Sequence, residues 1–197
     1  MVIRPSWKET ALNAGDLELI LDPKQAFGTG HHATTQLLIE WLQEVVTPSD
    51  RVLDMGTGSR LLAMVALRVG AAEALGVDFD PIAIDCAREY AQVNGFDQRL
   101  TLSVGNAKGE QWHDTFAPTL VLANLDRQTL LDAGEALCRY AAGGARLLLS
   151  GLLVEQRAEI EAAYGSHGVY VKATRVRDGW VALEAVGMES CEGGLCS

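Results

Sequence analysis

Residues 51–81, RVLDMGTGSRLLAMVALRVGAAEALGVDFDP, contain a strand–helix–strand unit that determines the fold class. The apolar run 51–55 predicts a strand, and the apolar positions of 59–70 recur at helical spacing up to Gly70. Residues 73–80 predict a second strand. Strands that alternate with helices form a parallel sheet covered by helices, so this unit predicts an α/β fold.

The same alternation continues along the chain to residue 187. Further strands are predicted at 100–104, 119–125 and 145–151, and further helices at 81–95, 127–144 and 154–168. Two alternating runs, 169–176 and 179–187, meet at the aspartate–glycine pair 178–179, which predicts a hairpin. We therefore expect a doubly wound, mostly parallel, seven-stranded Rossmann-like sheet with a C-terminal antiparallel hairpin.

Residues 1–50 precede this alternating region. They contain a possible strand at 17–22, a glycine-containing loop at 25–35 and a helix at 35–46. We expect residues 1–187 to form one domain, with 1–50 as its N-terminal extension, and residues 188–197 to form a flexible tail.

Composition narrows the function classes. The 197 residues include 16 basic and 26 acidic ones, and the net charge of −10 argues against nucleic acid or an anionic membrane as a partner. No apolar run approaches ~18 residues and residues 1–10 lack a signal sequence, so we expect a cytoplasmic protein. The four cysteines do not suggest a disulfide framework, and Cys191 and Cys196 lack the further ligands of a metal site.

A glycine turn and an acidic residue mark the expected binding site, because ligands of such sheets lie outside the carboxyl ends of the strands. Gly56 and Gly58 follow the first strand of the 51–81 unit, and Asp78 lies near the end of the second. Glycines let the backbone approach a ligand, and a carboxylate there can accept hydrogen bonds from ribose hydroxyls. Asn106 follows the next strand, either as a contact to an adenine edge or as a turn residue.

These features predict a nucleoside-containing cofactor. A dinucleotide site of the pattern G-x-G-x-x-G would have its third glycine at position 61, where the chain has Leu61. S-adenosylmethionine has no phosphate to cover, and the terminal hairpin favours the methyltransferase version of the fold. A nicotinamide-dependent dehydrogenase is the weaker alternative.

Asn124, at the end of the strand 119–125, is the candidate catalytic residue. Its carbonyl oxygen could accept a hydrogen bond from a substrate amine and so direct the nitrogen lone pair at a methyl group. The alternative is an N-cap or turn residue for the helix that begins at 127. His31 and His32 are candidates for a general base, although loop histidines are often only exposed.

Seven segments together resemble one known family over residues 3 to 186. They are IRPSW (3–7), LDPKQAFGTGHHATT (21–35), VLDMGTG (52–58), GVDFDPIAI (76–84), LANL (122–125), LLLSGLLVEQ (147–156) and DGWVALE (178–184). The chain resembles the catalytic domain of bacterial ribosomal protein L-eleven methyltransferases of the PrmA type. The FGTG-x-H-x-TT loop is the specific part, because the wider class I methyltransferase fold shares the other motifs.

The resemblance implies a class I methyltransferase that uses S-adenosylmethionine and methylates lysine side chains or an N-terminal amine of a ribosomal protein. It implies cofactor contacts at Thr35, Gly56, Asp78 and Asn124, and a loop beside the methyl-transfer site at Phe27, Gly28 and Thr29. With the turn and strand-end residues, the expected cofactor-binding set is Phe27, Thr29, Thr35, Gly56, Gly58, Asp78, Asn106 and Asn124.

The chain also departs from the family pattern. Arg60 stands where the family has a third glycine, Lys24 replaces a usual glycine, and His31 replaces a small residue. The chain begins where the family's N-terminal recognition domain ends. These differences leave two alternatives open: a non-catalytic module that only binds S-adenosylmethionine, and a methyltransferase that acts on a small amine.

Overall fold

The computed structural model describes residues 1–22, 32–58, 61–106 and 111–188. Within them the strands are β1 (Val2–Arg4), β2 (Glu18–Ile20), β3 (Arg51–Met55), β4 (Glu73–Asp78), β5 (Leu100–Val104), β6 (Leu120–Asn124), β7 (Arg146–Leu153), β8 (Val169–Arg177) and β9 (Trp180–Gly187). The strands β1 and β2 form a small parallel pair, and the other strands form one sheet in the order β5-β4-β3-β6-β7-β9-β8. The prediction of a seven-stranded doubly wound sheet is confirmed.

The antiparallel strand of the sheet is β9, which lies between β7 and β8 and pairs with both in antiparallel register. Asp178 and Gly179 connect β8 to β9 with φ values of 51° and 80°. Two consecutive residues with positive φ form the turn that matches the twist of a hairpin. The prediction of a C-terminal hairpin with its turn at residues 178–179 is therefore confirmed.

The helices cover both faces of the sheet. They are α1 (Ala33–Val45), α2 (Leu61–Val69), α3 (Pro81–Val93), α4 (Gln111–Phe116), α5 (Arg127–Asp132), α6 (Gly134–Ala142) and α7 (Arg157–Gly165), with a 3-10 turn at Val154–Gln156. Apolar side chains of α1, α2 and α3 pack with Val52 on one face, and those of α5, α6 and α7 pack with Leu53 on the other. None of these described helices is long and apolar enough to cross a membrane.

The prediction of a single helix at 127–144 is wrong, because the chain forms two helices there, α5 and α6, which are separated at Ala133. The hydroxyl of Tyr164 donates a hydrogen bond of 3.0 Å to the carbonyl of Leu130, which a continuous helix would pair with residue 134. Gly134 lies against the Tyr164 ring, with 3.5 Å between a built Cβ and the ring. The packing of α7 therefore interrupts a helix that periodicity alone predicts as continuous.

The first 22 residues are attached to the sheet domain rather than separate from it. Leu19 is fully buried in the cluster that contains the α1 and α2 side chains. The side-chain amide of Asn94, which follows α3, accepts from the Ile20 N–H at 2.8 Å and donates to the Ile20 carbonyl at 2.9 Å. The Asn94 side chain thus pairs with β2 as a neighbouring strand would.

Candidate functional site

The strand order reverses between β3 and β6, and their neighbours β4 and β7 extend the sheet in opposite directions. In sheets of this kind the ligand lies beyond the carboxyl ends of the strands at such a reversal. Gly56 follows β3, Asp78 ends β4 and Asn124 ends β6. The structure therefore brings three of the predicted site residues to one edge of three adjacent strands.

The glycine turn after β3 has the backbone that the sequence predicted. Gly56 and Gly58 have φ values of 67° and 49°, a region that side chains other than glycine rarely adopt. The N–H groups of Gly56 and Thr57 donate to the carbonyl of Val77 at 2.9 and 3.0 Å. The turn is thereby held against the end of β4, next to Asp78.

A buried carboxylate that sequence reasoning did not single out supports this turn. Asp54 is 1% exposed, and its Oδ2 accepts from the Thr57 hydroxyl at 2.6 Å and from the Ala63 N–H at 3.2 Å. These bonds connect β3, the turn and the first residues of α2. The signal in the sequence was an acidic residue inside an otherwise apolar strand, since such a residue is buried only when it is hydrogen-bonded.

The carboxylate of Asp78 faces the turn and is 6% exposed. Its Oδ2 accepts from the Gly58 N–H at 2.7 Å, and its Oδ1 accepts from the Asp80 N–H at 3.0 Å. A carboxylate has about four acceptor sites, and the donors among the described residues use two of them.

Three exposed apolar side chains lie close to Asp78 in the chain or across the sheet, and they were not among the predicted site residues. Phe79 follows Asp78 and is 78% exposed, Ile82 in the first turn of α3 is 72% exposed, and Val104 pairs with Asp78 across β4 and β5. Exposed apolar atoms beside a carboxylate fit the expected nucleoside, which combines a flat base with a ribose. The sequence signal was an apolar residue directly after a strand-end aspartate.

Asn106 lies on the same side of the site but is exposed. The N–H of the preceding Gly105 donates to the Asp78 carbonyl at 2.8 Å, which holds the end of β5 against the end of β4. The structure therefore brings Asn106 near Asp78. Its predicted contact with an adenine edge stays a prediction.

Asn124 contacts Thr35, another predicted site residue. The Nδ2 of Asn124 donates to the Thr35 hydroxyl over 3.3 Å, and Thr35 is buried in the first turn of α1. This bond orients the amide and directs its carbonyl oxygen away from Thr35. The predicted role of that oxygen in accepting a hydrogen bond from a substrate amine stays a prediction.

The alternative role of Asn124 as an N-cap is wrong, because Asp126 caps α5. The carboxylate of Asp126 accepts from the Thr129 hydroxyl at 2.5 Å and from the Thr129 N–H at 3.1 Å. These two hydrogen bonds lower the pKa of Asp126, and the bond from the Thr129 hydroxyl has the larger effect. Asn124 is thus not needed at the start of the helix.

His32 is the N-cap of α1. Its Nδ1 accepts from the Thr34 N–H at 3.4 Å and lies 2.8 Å from the Thr34 hydroxyl, and its ring meets Trp180 edge-on at 4.7 Å. Capping and ring packing account for this histidine, and its predicted role as a base stays a prediction. Some residues named in the sequence analysis lie outside the described residues, so their predicted roles stay predictions. They are the loop residues Phe27, Gly28 and Thr29, and the three residues that differ from the family pattern, Lys24, His31 and Arg60.

Among the described residues, no group of three histidine, cysteine or acidic side chains is arranged to hold a metal ion. Cys138 is buried between α6 and the sheet, and burial raises the pKa of its thiol to about 11. Cys191 and Cys196 lie outside the described residues.

The chain is similar in sequence to members of the family that its motifs resemble. A family model described as "Ribosomal protein L11 methyltransferase (PrmA)" matches residues 1–187. The ribosomal protein L11 methyltransferase of Symbiobacterium thermophilum is 39% identical over 188 residues, which are 94% of this chain and 60% of that protein. The chain thus spans about 60% of the length of such curated relatives.

Solved structures agree with the fold. The ribosomal protein L11 methylase of Lactobacillus delbrueckii subsp. bulgaricus matches with a TM-score of 0.82 and 27% identity, over 94% of this chain and 93% of that one. A TehB-like SAM-dependent methyltransferase from Corynebacterium glutamicum matches with a TM-score of 0.60 and 15% identity, over 76% of this chain and 86% of that one. The second likeness concerns the fold alone, which is that of class I methyltransferases.

Proposed function

The chain belongs to the ribosomal protein L11 methyltransferase (PrmA) family, and from this premise we propose that it transfers methyl groups from S-adenosylmethionine to amino groups of a ribosomal protein. One observation carries the proposal. Asp78 and Asn124 end the two strands that flank β3, on either side of the glycine turn. A nucleoside-binding group and an amine-orienting group therefore share one edge of the sheet.

The residues present fit S-adenosylmethionine. The described donors use two of the about four acceptor sites of Asp78, which leaves acceptor capacity for ribose hydroxyls, and the exposed Phe79, Ile82 and Val104 offer apolar surface for the adenine. Leu125 packs against Gly56, but Gly58 has no side chain of its own, so the rest of the molecule can approach the backbone of the turn at Gly58. When bound, S-adenosylmethionine supplies a methyl group on a positively charged sulfur. A neutral amine can take this methyl group, and the sulfur then leaves as the neutral thioether of S-adenosylhomocysteine.

The task of the protein is to orient the amine. The carbonyl oxygen of Asn124 would accept a hydrogen bond from the amine, which directs the nitrogen lone pair toward the methyl group. Thr35 accepts the Asn124 N–H and so fixes which end of the amide faces the substrate. Orientation of this kind can contribute about 7–11 kcal/mol to catalysis in well-aligned systems.

The amine must also arrive without its proton. A free lysine side chain has a pKa of about 10.4, and its ammonium form has no lone pair. Removal from water, and the positive charge of a bound sulfonium nearby, both favour the neutral amine. We therefore propose that the site selects the neutral amine by burial and orientation, with His31 or His32 as the candidate for accepting the released proton.

The test is transfer of radiolabelled methyl groups from S-adenosylmethionine. The chain is incubated with purified ribosomal protein L11 and, separately, with a short lysine peptide and a small alkylamine. We expect label in the ribosomal protein, recovered as methylated lysine or methylated N-terminal amine. We expect Asn124→Ala to abolish most of the transfer, and Asn13→Ala, at an exposed asparagine that contacts Asp16, to leave it unchanged.

Other outcomes distinguish the alternatives. Label in the alkylamine but not in the protein would make the chain a small-molecule methyltransferase. Binding of S-adenosylmethionine without transfer to any of the three acceptors would contradict the proposed activity and indicate a module that only binds the cofactor.

A further inference from the structure

A bulge in β7 lies beside the end of β6, where Asn124 is found. We propose that Gly151, within this bulge, is a positioning residue that sets the location of Asn124. The inference rests on the proposed function, because it gives Gly151 a role through Asn124 in methyl transfer. Gly151 is not one of the residues expected to contact the cofactor.

The bulge is visible in the pairing of β7 with β9. Leu149 pairs with Leu183 and Leu152 pairs with Val181, so β7 advances by three residues while β9 advances by two. The extra residue lies in the Ser150–Gly151 segment, and Gly151 has a φ of 92°. Bulges with a glycine in this conformation bend a strand locally and redirect the side chains next to them.

Gly151 lies directly against the backbone of Leu125, the residue after Asn124. A Cβ built on Gly151 would be 2.1 Å from the Leu125 carbonyl oxygen and 2.7 Å from its carbonyl carbon. The Leu125 N–H donates to the Ser150 carbonyl at 3.1 Å. The backbone after Asn124 is therefore hydrogen-bonded to the bulge, in a position that a side chain at 151 would occupy.

The side chain of Leu125 lies against a second glycine, Gly56. A Cβ built on Gly56 would be 2.4 Å from Leu125 Cδ2, so Leu125 fills the space above the glycine turn. Leu125 thus lies against both Gly56, in the glycine turn, and Gly151, in the bulge of β7. Since Asn124 is its chain neighbour, the distance from the Asn124 amide to the turn depends on both contacts.

This arrangement explains why position 151 requires glycine beyond its backbone conformation. Any Cβ there must displace the Leu125 backbone, because the atoms it meets are not the end of a flexible side chain. Displacement of a catalytic group by about 1 Å can reduce a rate about 100-fold. The effect should appear in kcat, because Asp78 and the apolar side chains around it lie on the other side of β3.

The chain offers a matched control for this substitution. Gly144 also has a φ of 92°, but a built Cβ there meets no atom within 4 Å. Both variants place an alanine at the same φ, and only Gly151→Ala adds the clash with Leu125. The two variants are compared for kcat, for KM toward S-adenosylmethionine, and for the side-chain amide resonances of Asn124, which are identified by their loss in Asn124→Asp.

We expect Gly151→Ala to lower kcat about 100-fold, with KM toward S-adenosylmethionine changed less than about 3-fold. We expect the Asn124 amide resonances to move in Gly151→Ala and not in Gly144→Ala. Equal kcat and equal Asn124 resonances in the two variants would overturn the proposal.

A second variant covers the case in which Gly151→Ala does not fold. Leu125→Ala removes the side chain above Gly56 without forcing the backbone, and it should also move the Asn124 resonances and lower kcat. Unchanged resonances in Leu125→Ala would overturn the proposal as well. The resonances are recorded without an acceptor, so absence of transfer in the unmodified chain would count against the proposed function and not against this role of Gly151.

Discussion

The side-chain amide of Asn124 donates a hydrogen bond to the hydroxyl of Thr35, 3.3 Å away. The bond joins the end of β6 to the first turn of α1, across 89 positions of the sequence. The resemblance to the family implied that both residues contact the cofactor, but it did not imply that they contact each other. The contact suggests that α1 controls the direction in which the Asn124 carbonyl points.

Removal of the Thr35 hydroxyl should therefore affect catalysis. Thr35→Val keeps the shape of the side chain and removes the acceptor, so we expect kcat to fall about 10-fold, which corresponds to a hydrogen bond of about 1.4 kcal/mol. Thr35→Ser keeps the hydroxyl and is the matched control. Steady-state methyl transfer measures both, and equal kcat values for the two variants would rule out this role.

Asn124→Ala should separate turnover from binding. The alanine cannot accept a hydrogen bond from the amine, so we expect kcat to fall about 100-fold while the Kd for S-adenosylmethionine changes less than about 5-fold. Turnover is measured with saturating cofactor and Kd by calorimetry. Equal losses in both quantities would reduce Asn124 to a binding residue.

Asp78→Asn should show the opposite pattern. A hydrogen bond to a charged group contributes about 1.5–3 kcal/mol, so loss of the carboxylate should weaken cofactor binding about 10- to 100-fold. Asp85→Asn, at an exposed aspartate on α3 that pairs with Arg88, is the control and should bind normally. An unchanged Kd in Asp78→Asn would show that the carboxylate does not hold the ribose.

The environment of Asp50, which lies outside the candidate site, should make the free energy of unfolding depend on pH. Burial raises its pKa, but hydrogen bonds from Thr119 and Thr47 and the charge of Arg146 outweigh it, so the pKa lies below the usual 3.8. A carboxylate with a lowered pKa stabilises the fold above pH 3.8, and this contribution is lost as the pH falls through the folded-state pKa.

Asp50→Asn should consequently lower the free energy of unfolding by about 2 kcal/mol at pH 7, and by less at pH 3. Urea unfolding at the two pH values measures the difference, with Asp97→Asn, at an exposed aspartate, as the control. A deficit in Asp50→Asn that is the same at both pH values would mean that the charge of Asp50 is not what stabilises the fold.

The sheet was predictable because its strands and turns are encoded locally. The apolar run at 51–55 and the aspartate–glycine pair at 178–179 each correspond to an observed element. Two short elements, β1 and α4, were not predicted, because three or six residues give too little periodicity. The break at Ala133 depends on Tyr164, which is distant in sequence, so no local pattern could reveal it.

The site was predictable only in part. Gly56, Asp78 and Asn124 lie at the carboxyl ends of parallel strands, and these ends meet at one edge of the sheet. The contacts that hold them in place were not predictable, since they depend on which loops touch. The hydrogen bond of Asn124 to Thr35 and the packing of Leu125 against Gly151 are both of this kind.

Calorimetric titration of the chain with S-adenosylmethionine and with S-adenosylhomocysteine measures whether this site binds the cofactor. We expect both molecules to bind with a micromolar Kd, about −8 kcal/mol, and to bind more weakly to Asp78→Asn. Absence of binding heat for both molecules across a range of temperatures, in a chain that is folded by circular dichroism, would contradict this expectation.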